Sequence, residues 1–428
     1  MIQIVYKLAD KIHSTEFVAE HRRTEQDFTR HRTLTFPRLI SFMLNNLNGS
    51  IQNELSRFFR VVDDSPIALT SVSTAAFCKA RKKISYTAFK ALNADLIETF
   101  YRSNQVKRWR GFRLLAVDGS VTQLPVSSGL MKYFGKARSQ AHMPAVRLSQ
   151  LYDINNRLTL DLQVDSHTVG ERNMALKHLA YANQNDLILY DRGYPAVWFF
   201  KMHQRRNIHF CARTTVASSN FAKEFVESGQ LDAVVELPCI EKSLRRCRKE
   251  GLSTEAITIR LVRVELPTGD IEVLMTSLLD KDVYPHSLFS DLYHQRWGIE
   301  EDYKVMKSRL NLENFSGLSV DAVMQDIHAK TLTKNIVALA TINAEPLKTH
   351  HCDQRKHAYK INFTYALSQI KDTIVRFLLR IAPLNLSQLL AEKIAIALNA
   401  YRPGRRHKRP SDKRNRVNKY PIAYKRVC

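Results

Sequence analysis

The sequence predicts an α/β fold, and three observations support that prediction. Short apolar runs of strand length occur at three places, 113–117 (RLLAV), 186–190 (DLILY) and 209–215 (HFCARTT). Segments with apolar residues at helical spacing lie between them, at 170–183 and 195–206. The stretch 147–164 has the pattern of two strands joined by a turn at residues 154–157.

The order of these elements narrows the fold class further. Along the chain they run strand, strand, strand, helix, strand, helix, strand, which is the order of the ribonuclease-H-like, or retroviral-integrase-like, fold. In that fold the first and fourth strands lie side by side. The first predicted strand ends at Asp118 and the fourth at Asp191. We therefore expect the two carboxylates to meet at one edge of the sheet, where sites usually form.

The stretch 293–307, YHQRWGIEEDYKVMK, is predicted to form one helix, because it contains no proline and one glycine. Four polar residues share an arc of about 60° at 100° per residue: Tyr293, Arg296, Glu300 and Lys307. Of the two neighbouring acids, Glu301 falls at the margin of that arc and Asp302 points away from it. A hydroxyl, a carboxylate and two cations do not form a core-facing stripe. The face is therefore either a solvated, salt-bridged surface or part of a site.

The composition indicates a polyanionic partner. The 428 residues include 65 Lys and Arg against 41 Asp and Glu, a formal net charge of +24 at pH 7. Nucleic acid is the commonest partner of so basic a chain. An anionic membrane is the alternative, but no apolar run approaches the ~18 residues of a membrane span. The first residues lack the apolar run of a signal peptide, and the six cysteines show no C-x-x-C pair or zinc spacing, so we expect a cytosolic protein.

The three acids suggest metal chemistry. Asp118, Asp191 and Glu300 would repel one another if they met, which suits ligands of a divalent metal, and hard oxygen ligands prefer Mg²⁺ or Mn²⁺. Two such ions about 4 Å apart clamp the attacking and leaving oxygens of an in-line phosphoryl transfer. The other three residues of the helical arc are placed to hold a phosphodiester backbone beside the metals. A single strand-end aspartate often caps a turn instead, so the prediction depends on all three acids together.

These residues also match the motifs of a known family. Tyr293, Arg296, Glu300 and Lys307 complete the pattern Y-x2-R-x3-E-x6-K. The second acid is the first residue of a D-x-G-Y motif at residues 191–194, and the first acid is the first residue of a D-G-[ST] motif at 118–120. On these motifs the chain resembles, over roughly residues 70–315, the DDE transposases of bacterial insertion sequences, in the branch called insertion sequence family four.

The resemblance implies an activity and a set of roles. It implies divalent-metal-dependent cleavage at the inverted-repeat ends of an insertion sequence, followed by cut-and-paste transfer of the 3′-hydroxyl ends into target DNA. The implied metal ligands, for two Mg²⁺ ions per active site with Mn²⁺ able to substitute, are Asp118, Asp191 and Glu300. The implied contacts to DNA near the cleaved end are Tyr293, Arg296 and Lys307. The expected partners are the terminal inverted repeats and target DNA, with a homodimer in a synaptic complex at the bacterial nucleoid and no membrane.

One departure from the family concerns how the second DNA strand is cut. Some members cut it through a DNA hairpin and stack a flipped base on a tryptophan of the β insertion. Residues 214–285 contain no tryptophan. Phe221, Phe225 and Tyr284 offer other aromatic faces on which a base can stack.

Six segments are expected along the chain. They are a helical, DNA-end-binding region at 1–110, the first part of the catalytic core at 111–213, a β-rich insertion at 214–285, the helix that completes the core at 286–318, a helical region at 319–401 and a basic tail at 402–428. The tail carries eleven Lys and Arg against one acid. In the first segment a basic cluster is interpreted as a DNA-contacting surface: Lys79, Arg81, Lys82 and Lys83.

Two other functions remain open from the sequence. A stand-alone nuclease or junction resolvase of the same fold would hydrolyse DNA without joining an end to a second molecule. A non-catalytic repressor derived from a transposase would bind DNA and lack one of the metal ligands. None of the three acids is missing from this chain.

Overall fold

The computed structural model describes residues 2–30, 32–103, 106–136, 143–216, 220–266, 269–348 and 357–401. The chain divides into two compact units. The helical unit comprises residues 1–105, 122–145 and 305–428, and the sheet unit comprises residues 106–121 and 146–304. The basic tail predicted at 402–428 lies outside the described residues. None of the described helices combines the length and the apolar character that a bilayer crossing requires.

The helical unit begins with six helices: α1 (Ile2–His13), α2 (Thr15–His21), α3 (Phe36–Leu44), α4 (Ile51–Val62), α5 (Thr74–Arg81) and α6 (Thr87–Tyr101). Hydroxyl side chains cap α3, α4 and α5, because Thr35, Ser50 and Ser73 each accept a hydrogen bond from the backbone N–H three residues later. The apolar faces of the same helices pack together, and the Phe42 ring meets the ring of Phe58 at 5.4 Å and that of Phe77 at 5.0 Å.

Strands and helices then alternate along the chain: β1 (Arg113–Gln123), α7 (Ser128–Phe134), β2 (Ala145–Asp153), β3 (Leu158–Ser166), α8 (Glu171–His178), β4 (Asp186–Tyr190), α9 (Val197–Arg205), β5 (His209–Thr214), α10 (Asn220–Glu227), β6 (Asp232–Leu237), α11 (Glu241–Lys249), β7 (Ile257–Glu265), β8 (Ile271–Thr276), α12 (Leu288–His294) and α13 (Trp297–Ser308). The strands form one mixed sheet of eight in the order β3-β2-β1-β4-β5-β8-β7-β6. The α/β class predicted from the sequence is confirmed.

The centre of the sheet is parallel. Strand β1 pairs with β4, and β4 pairs with β5, in parallel registers. All five residues of β4 are buried, as are residues 113–117 of β1. Burial of this kind is typical of parallel strands and explains why these runs are almost wholly apolar. The predicted neighbours, the first and fourth strands, therefore lie side by side, and β2 and β3 form the predicted antiparallel hairpin.

The segment expected to be a β-rich insertion contains helices as well as strands. Strands β6, β7 and β8 alternate with helices α10 and α11 between residues 220 and 276. Strand β8 pairs antiparallel with β5, and β7 and β6 follow it outward. The three strands therefore extend the main sheet rather than form a second one.

The stretch 293–307 is not one helix, which corrects the prediction. Helix α12 ends at His294 and α13 begins at Trp297. Between them the backbone N–H groups of Gln295 and Arg296 donate to carbonyls three residues back, at 3.2 and 3.0 Å, which tightens the turn and interrupts the α-helical ladder. A side chain at Gly298 would meet Cγ2 of Ile154 at 3.3 Å, so the start of α13 packs closely on the β2–β3 turn. The even rotation of 100° per residue therefore does not hold across this point.

The helical unit is completed by α14 (Val320–Lys348), β9 (Ala358–Ile361), α15 (Phe363–Ile370), α16 (Thr373–Leu378), α17 (Leu386–Ile396) and β10 (Leu398–Tyr401). Helix α14 is 29 residues long and mostly buried, and it packs against α3, α6, α15 and α17. Strands β9 and β10 form a short antiparallel pair.

Arg81 does not belong to an exposed basic cluster, in contrast to the interpretation of the sequence. Its guanidinium is buried and donates to Ser316 Oγ at 2.6 Å, to Gln325 Oε1 at 2.9 Å and to Asp326 Oδ1 at 3.0 Å. Arg81 therefore ties α5 to the start of α14. A buried cation bonded in this way is a structural residue.

Candidate active site

Asp118 and Asp191 lie at equivalent positions on neighbouring strands. The last parallel pair of β1 and β4 joins Val117 to Tyr190, and Asp118 and Asp191 are the next residues of the chain after that pair. Asp191 follows the end of β4, as predicted, but β1 continues to Gln123, so Asp118 lies inside its strand and not at its end. Because the two strands are parallel, the two aspartates still lie side by side where their pairing ends. The sequence predicted this juxtaposition, and the register of the pair confirms it.

The environment of the Asp118 carboxyl disfavours its negative charge. Burial raises its pKa to about 6, and the charges of Glu300 and Asp191 raise it as well. A hydrogen bond from the Gly119 N–H to Oδ1, at 2.9 Å, and the charge of Arg296 act in the opposite direction. The structure therefore brings all three predicted acids close enough to affect one another.

Asp191 is bound by an arginine. Nη2 of Arg213, on β5, donates to Oδ1 of Asp191 at 2.8 Å. Nη1 of the same guanidinium bonds to Glu272 on β8. Arg213 thus links Asp191 to β8, the strand that pairs with β5. Nothing in the strand pattern HFCART marked this arginine as part of the site.

Glu300 is distinguished from the two acids that follow it. Nη2 of Arg296 donates to Oε1 of Glu300 at 2.8 Å, and both side chains are largely buried. Glu301 is 65% exposed and pairs with Lys304. Asp302 is 7% exposed and accepts a hydrogen bond from Nε2 of Gln150 at 2.7 Å. The charge of Glu300 is one of the causes that raise the pKa of Asp118, so this carboxylate lies near the first aspartate.

Tyr293 and Arg296 are both buried. The Tyr293 hydroxyl donates to the carbonyl of Tyr190 at 3.2 Å, so it holds the end of β4 next to Asp191. Burial raises the pKa of this hydroxyl well above its ordinary range. The Arg296 guanidinium carbon lies 5.7 Å from the Tyr293 ring centre and 5.8 Å from that of Trp297, as cation–π contacts do. Trp297 itself is 41% exposed.

Lys307, the last residue of the motif, is counted with the helical unit. It is half-buried near the end of α13. Burial lowers the pKa of its ammonium group, and the charge of Glu313 opposes that effect.

The acids have the right chemistry for a divalent cation, but they are not arranged around one. Over the described ranges, no three His, Cys, Asp or Glu side chains lie close enough together to hold a metal ion. Two of the three predicted ligands are instead bonded to arginines, Asp191 to Arg213 and Glu300 to Arg296. Carboxylate oxygens are nevertheless the donors that Mg²⁺ and Mn²⁺ prefer, so the residue types fit such an ion.

Sequence reasoning missed two further residues at this site. The Glu171 carboxylate, at the start of α8, lies against the backbone of Gly119 and of Gly193. The Tyr194 hydroxyl is buried, and the charges of Asp118, Glu171 and Asp191 all raise its pKa, after burial itself. The D-x-G-Y motif, of which Tyr194 is the last residue, could have indicated that Tyr194 lies at the site. Glu171 is the first residue of α8, and no sequence pattern distinguishes it.

Comparison with known proteins defines the class. A family model described as "Transposase DDE domain" matches residues 109–336, more than half of the chain, and the chain belongs to that family. It is a DDE transposase, an enzyme that cleaves and transfers DNA. The resemblance drawn from the sequence motifs is confirmed.

Particular relatives agree with this assignment. The chain is 24% identical over 370 residues to "Transposase InsG for insertion sequence element IS4" from Escherichia coli (strain K12), an alignment that covers 83% of this chain and 79% of that protein. Among solved structures, a piggyBac transposase synaptic complex with hairpin DNA, determined by cryo-electron microscopy, is similar in fold. The TM-score is 0.50 at 10% identity, over 94% of this chain and 86% of the other.

Proposed function

We propose that this transposase works by cut and paste, cleaving at the inverted-repeat ends of an insertion sequence and joining the freed 3′-hydroxyl ends to target DNA. The observation that supports this best is the parallel pairing of β1 with β4, which brings Asp118 and Asp191 side by side where the pairing ends. Strands β1 to β5 then correspond to a ribonuclease-H-like core, and residues 214–285 to its insertion. The core is completed by the segment 286–318, which contributes Glu300.

The three acids are proposed to hold two Mg²⁺ ions, for which Mn²⁺ would substitute. When bound, such ions supply activation of an attacking oxygen and stabilisation of a leaving one. The mutual repulsion that raises the pKa of Asp118 is what a cation at this place would relieve. We propose that Glu300 turns from Arg296 to the cation, which would release the Arg296 guanidinium. Asp191 has a second oxygen that is free to bind the cation while Oδ1 stays bonded to Arg213.

A released arginine at this site could bind a DNA phosphate. Guanidinium groups bind phosphate oxygens through two parallel hydrogen bonds, and phosphate contacts position a protein on DNA. We propose that Arg296 turns from Glu300 to the phosphodiester near the cleaved end, together with Lys307. For Tyr293 the same DNA contact is proposed, and it requires the hydroxyl to leave its present acceptor, the carbonyl of Tyr190.

The region 1–110 is proposed to bind the transposon ends. Within the helical unit, a cleft of about 1050 Å³ is lined by residues between positions 24 and 34 and by residues between positions 71 and 83, which include α5. Four cations line it, Arg30, Arg32, Lys79 and Lys83, with Asp27 as the one acid among its described lining residues. Hydroxyl side chains of threonine and serine complete the lining. Cations and hydroxyls are the groups that proteins use to contact the DNA backbone.

The partners proposed are the terminal inverted repeats and target DNA, held by two copies of the chain in a synaptic complex. Support for DNA comes from the net charge of +24 and from membership of the DDE family. A dimer is proposed because two ends must be cut and joined together. This proposal leaves the nuclease and repressor alternatives open to the experiment that follows.

The test uses the full-length chain and a labelled DNA end taken from the inverted repeat that flanks the gene. In Mg²⁺, Asp118→Asn and Asp191→Asn should each lose single-turnover cleavage and joining to a plasmid while end binding stays within about threefold, since phosphate contacts supply most of the affinity. Glu227→Gln, an exposed residue of α10, serves as the matched control. Cleavage by either aspartate variant above a few per cent of the wild-type rate contradicts the assignment of the ligands. Wild-type cleavage without joining favours the nuclease, and binding without cleavage favours the repressor.

A further inference from the structure

The two glycines of the aspartate motifs abut the same carboxylate. A methyl group placed on Gly119 would lie 3.2 Å from Oε1 of Glu171, and one placed on Gly193 would lie 3.8 Å from Oε2. Gly119 directly follows Asp118, and Gly193 is two residues beyond Asp191. The Glu171 side chain therefore lies against both of the segments that carry the catalytic aspartates. A side chain at Gly119 would require this carboxylate to shift by a few tenths of an ångström.

The charge of Glu171 is poorly compensated. Within the described residues Glu171 forms an ion pair with Arg147, whose Nε lies 4.0 Å from Oε1, a distance too long for a hydrogen bond. Nη1 of Arg147 instead donates to the carbonyl of Val169 at 2.8 Å. By contrast, Asp191 has a guanidinium at 2.8 Å. The Glu171 side chain is also 43% exposed, so an ion from solution has access to it.

A buried hydroxyl lies near the same carboxylates. Tyr194 is 1% exposed, and in the described part of the structure its hydroxyl has no hydrogen-bond partner. The charges of Asp118, Glu171 and Asp191 all act on this hydroxyl, and they raise its pKa in addition to the effect of burial. Buried polar groups are rarely left without a partner, so this one indicates that a further polar species belongs among the three carboxylates.

We propose that Glu171 is a fourth acidic residue of the active site, whose charge strengthens the binding of divalent cations beside Asp118 and Asp191. The inference rests on the proposed function, because it assumes that these aspartates hold the cation. Glu171 acts here as a positioning residue through its charge and through its contact with the two glycines. Replacing an outer partner of a metal site typically lowers metal affinity by about 10- to 100-fold, and we expect a loss in that range.

The experiment measures Mn²⁺ binding to the full-length protein without DNA, by the electron paramagnetic resonance signal of free Mn²⁺. Glu171→Gln keeps the shape of the side chain and removes its charge, and it should weaken binding by about tenfold or more. Asp118→Asn should weaken binding at least as much. Glu227→Gln removes one exposed carboxylate of the sheet unit far along the chain from the motifs, and it should bind as the wild type does.

Failure of the inference and failure of the proposed function give different results. If Asp118→Asn loses Mn²⁺ affinity and Glu171→Gln binds like the wild type, the role of Glu171 is wrong and the aspartate site stands. If both variants bind like the wild type, the aspartate site itself is wrong. If Glu227→Gln loses as much affinity as Glu171→Gln, the effect is one of overall charge and the inference is overturned.

Two further measurements do not depend on the folding of Glu171→Gln. Gly119→Ala retains Glu171 but crowds its carboxylate at 3.2 Å, so its Mn²⁺ affinity should also fall. In wild-type protein loaded with Fe²⁺ and treated with ascorbate and peroxide, the backbone should be cut near residue 171 as well as near residues 118 and 191. Cuts at the two aspartates without a cut at residue 171 would overturn the inference.

Discussion

Arg296 and Glu300 are joined by a hydrogen bond of 2.8 Å between Nη2 and Oε1. Both belong to the same four-residue motif, and they are one helical turn apart on either side of the start of α13. The guanidinium therefore offsets the charge of the carboxylate that is proposed as the third metal ligand. An ion pair of this kind reduces the repulsion between Glu300 and the nearby Asp118.

The first prediction concerns which acid of the run 300–302 takes part in catalysis. Glu300→Gln should abolish cleavage of a labelled end, because its carboxylate is the one that acts electrostatically on Asp118. Glu301→Gln should keep most of the wild-type rate, since Glu301 is 65% exposed and pairs only with Lys304 among the described contacts. Single-turnover cleavage in Mg²⁺ measures both. An active Glu300→Gln beside an inactive Glu301→Gln would contradict the assignment.

Asp302 serves as the internal control for that series. It is buried against Gln150, so Asp302→Asn should lower the free energy of unfolding by about 1–2 kcal/mol by weakening a buried hydrogen bond. The cleavage rate per folded molecule should be retained. Urea denaturation of the same three variants separates this loss of stability from loss of chemistry.

The second prediction is a dependence of stability on pH. The pKa of Asp118 is about 6 in the folded chain against 3.8 for an ordinary aspartate, so the folded state binds the proton more tightly. Stability is therefore lost as pH rises from about 4 to about 6, and the loss persists above that range. Asp118→Asn should raise the free energy of unfolding by about 1–3 kcal/mol at pH 7.5 and by nothing at pH 4.

Urea denaturation with excess chelator measures this difference, because chelation keeps divalent cations away from the carboxylates. Asp302→Asn, which lies outside the group of acids around Asp118, should show no such gain at pH 7.5. Equal stability of wild type and Asp118→Asn at both pH values would contradict the raised pKa.

The third prediction separates two residues of one basic stretch. Arg81→Ala should destabilise the protein by about 3–5 kcal/mol, because it leaves the carboxylate of Asp326 buried without its partner. Lys79→Ala should change stability by less than about 0.5 kcal/mol, since Lys79 is exposed. It should weaken binding to transposon ends, because Lys79 lines the basic cleft. Thermal melting and filter binding test the pair, and a Lys79→Ala variant with unchanged DNA affinity would argue against the cleft.

The fourth prediction concerns the basic tail. Removal of residues 402–428 takes away eleven Lys and Arg and one acid. DNA binding should weaken for all sequences alike, and its dependence on salt should flatten, because each phosphate contact contributes a log–log slope of about −0.9. Binding titrations at several salt concentrations on transposon-end and unrelated DNA test this. Loss of preference for transposon ends, with unrelated DNA unaffected, would show that the tail reads sequence.

Much of the site could be predicted from the sequence because the signals are local. Two apolar runs, each followed by aspartate, predict two buried strands, and the order of elements predicts that those strands pair. That β1 continues past Asp118 to Gln123 could not be predicted from its apolar run, because residues 118–121 are only partly buried. The motif spacing distinguishes Glu300 from its neighbours. The break before Trp297 could not be predicted in the same way, because the residues at the break contain no proline, and the close packing of Gly298 on Ile154 joins positions far apart in the sequence.

By itself the sequence determined the α/β class, the pairing of the acid-bearing strands, the basic character and the family. The class and the basic character follow from periodicity and composition, the strand pairing from the order of elements in a known fold, and the family from the resemblance to its motifs. Tertiary structure decided that Arg81 is a buried structural cation, that Arg213 binds Asp191, and that Glu171 lies beside both motif glycines. Arg213 and Asp191 are 22 positions apart in the sequence, Glu171 and Gly119 are 52 apart, and Arg81 and Asp326 are 245 apart. No local pattern encodes which of these distant residues the folded core will bring into contact.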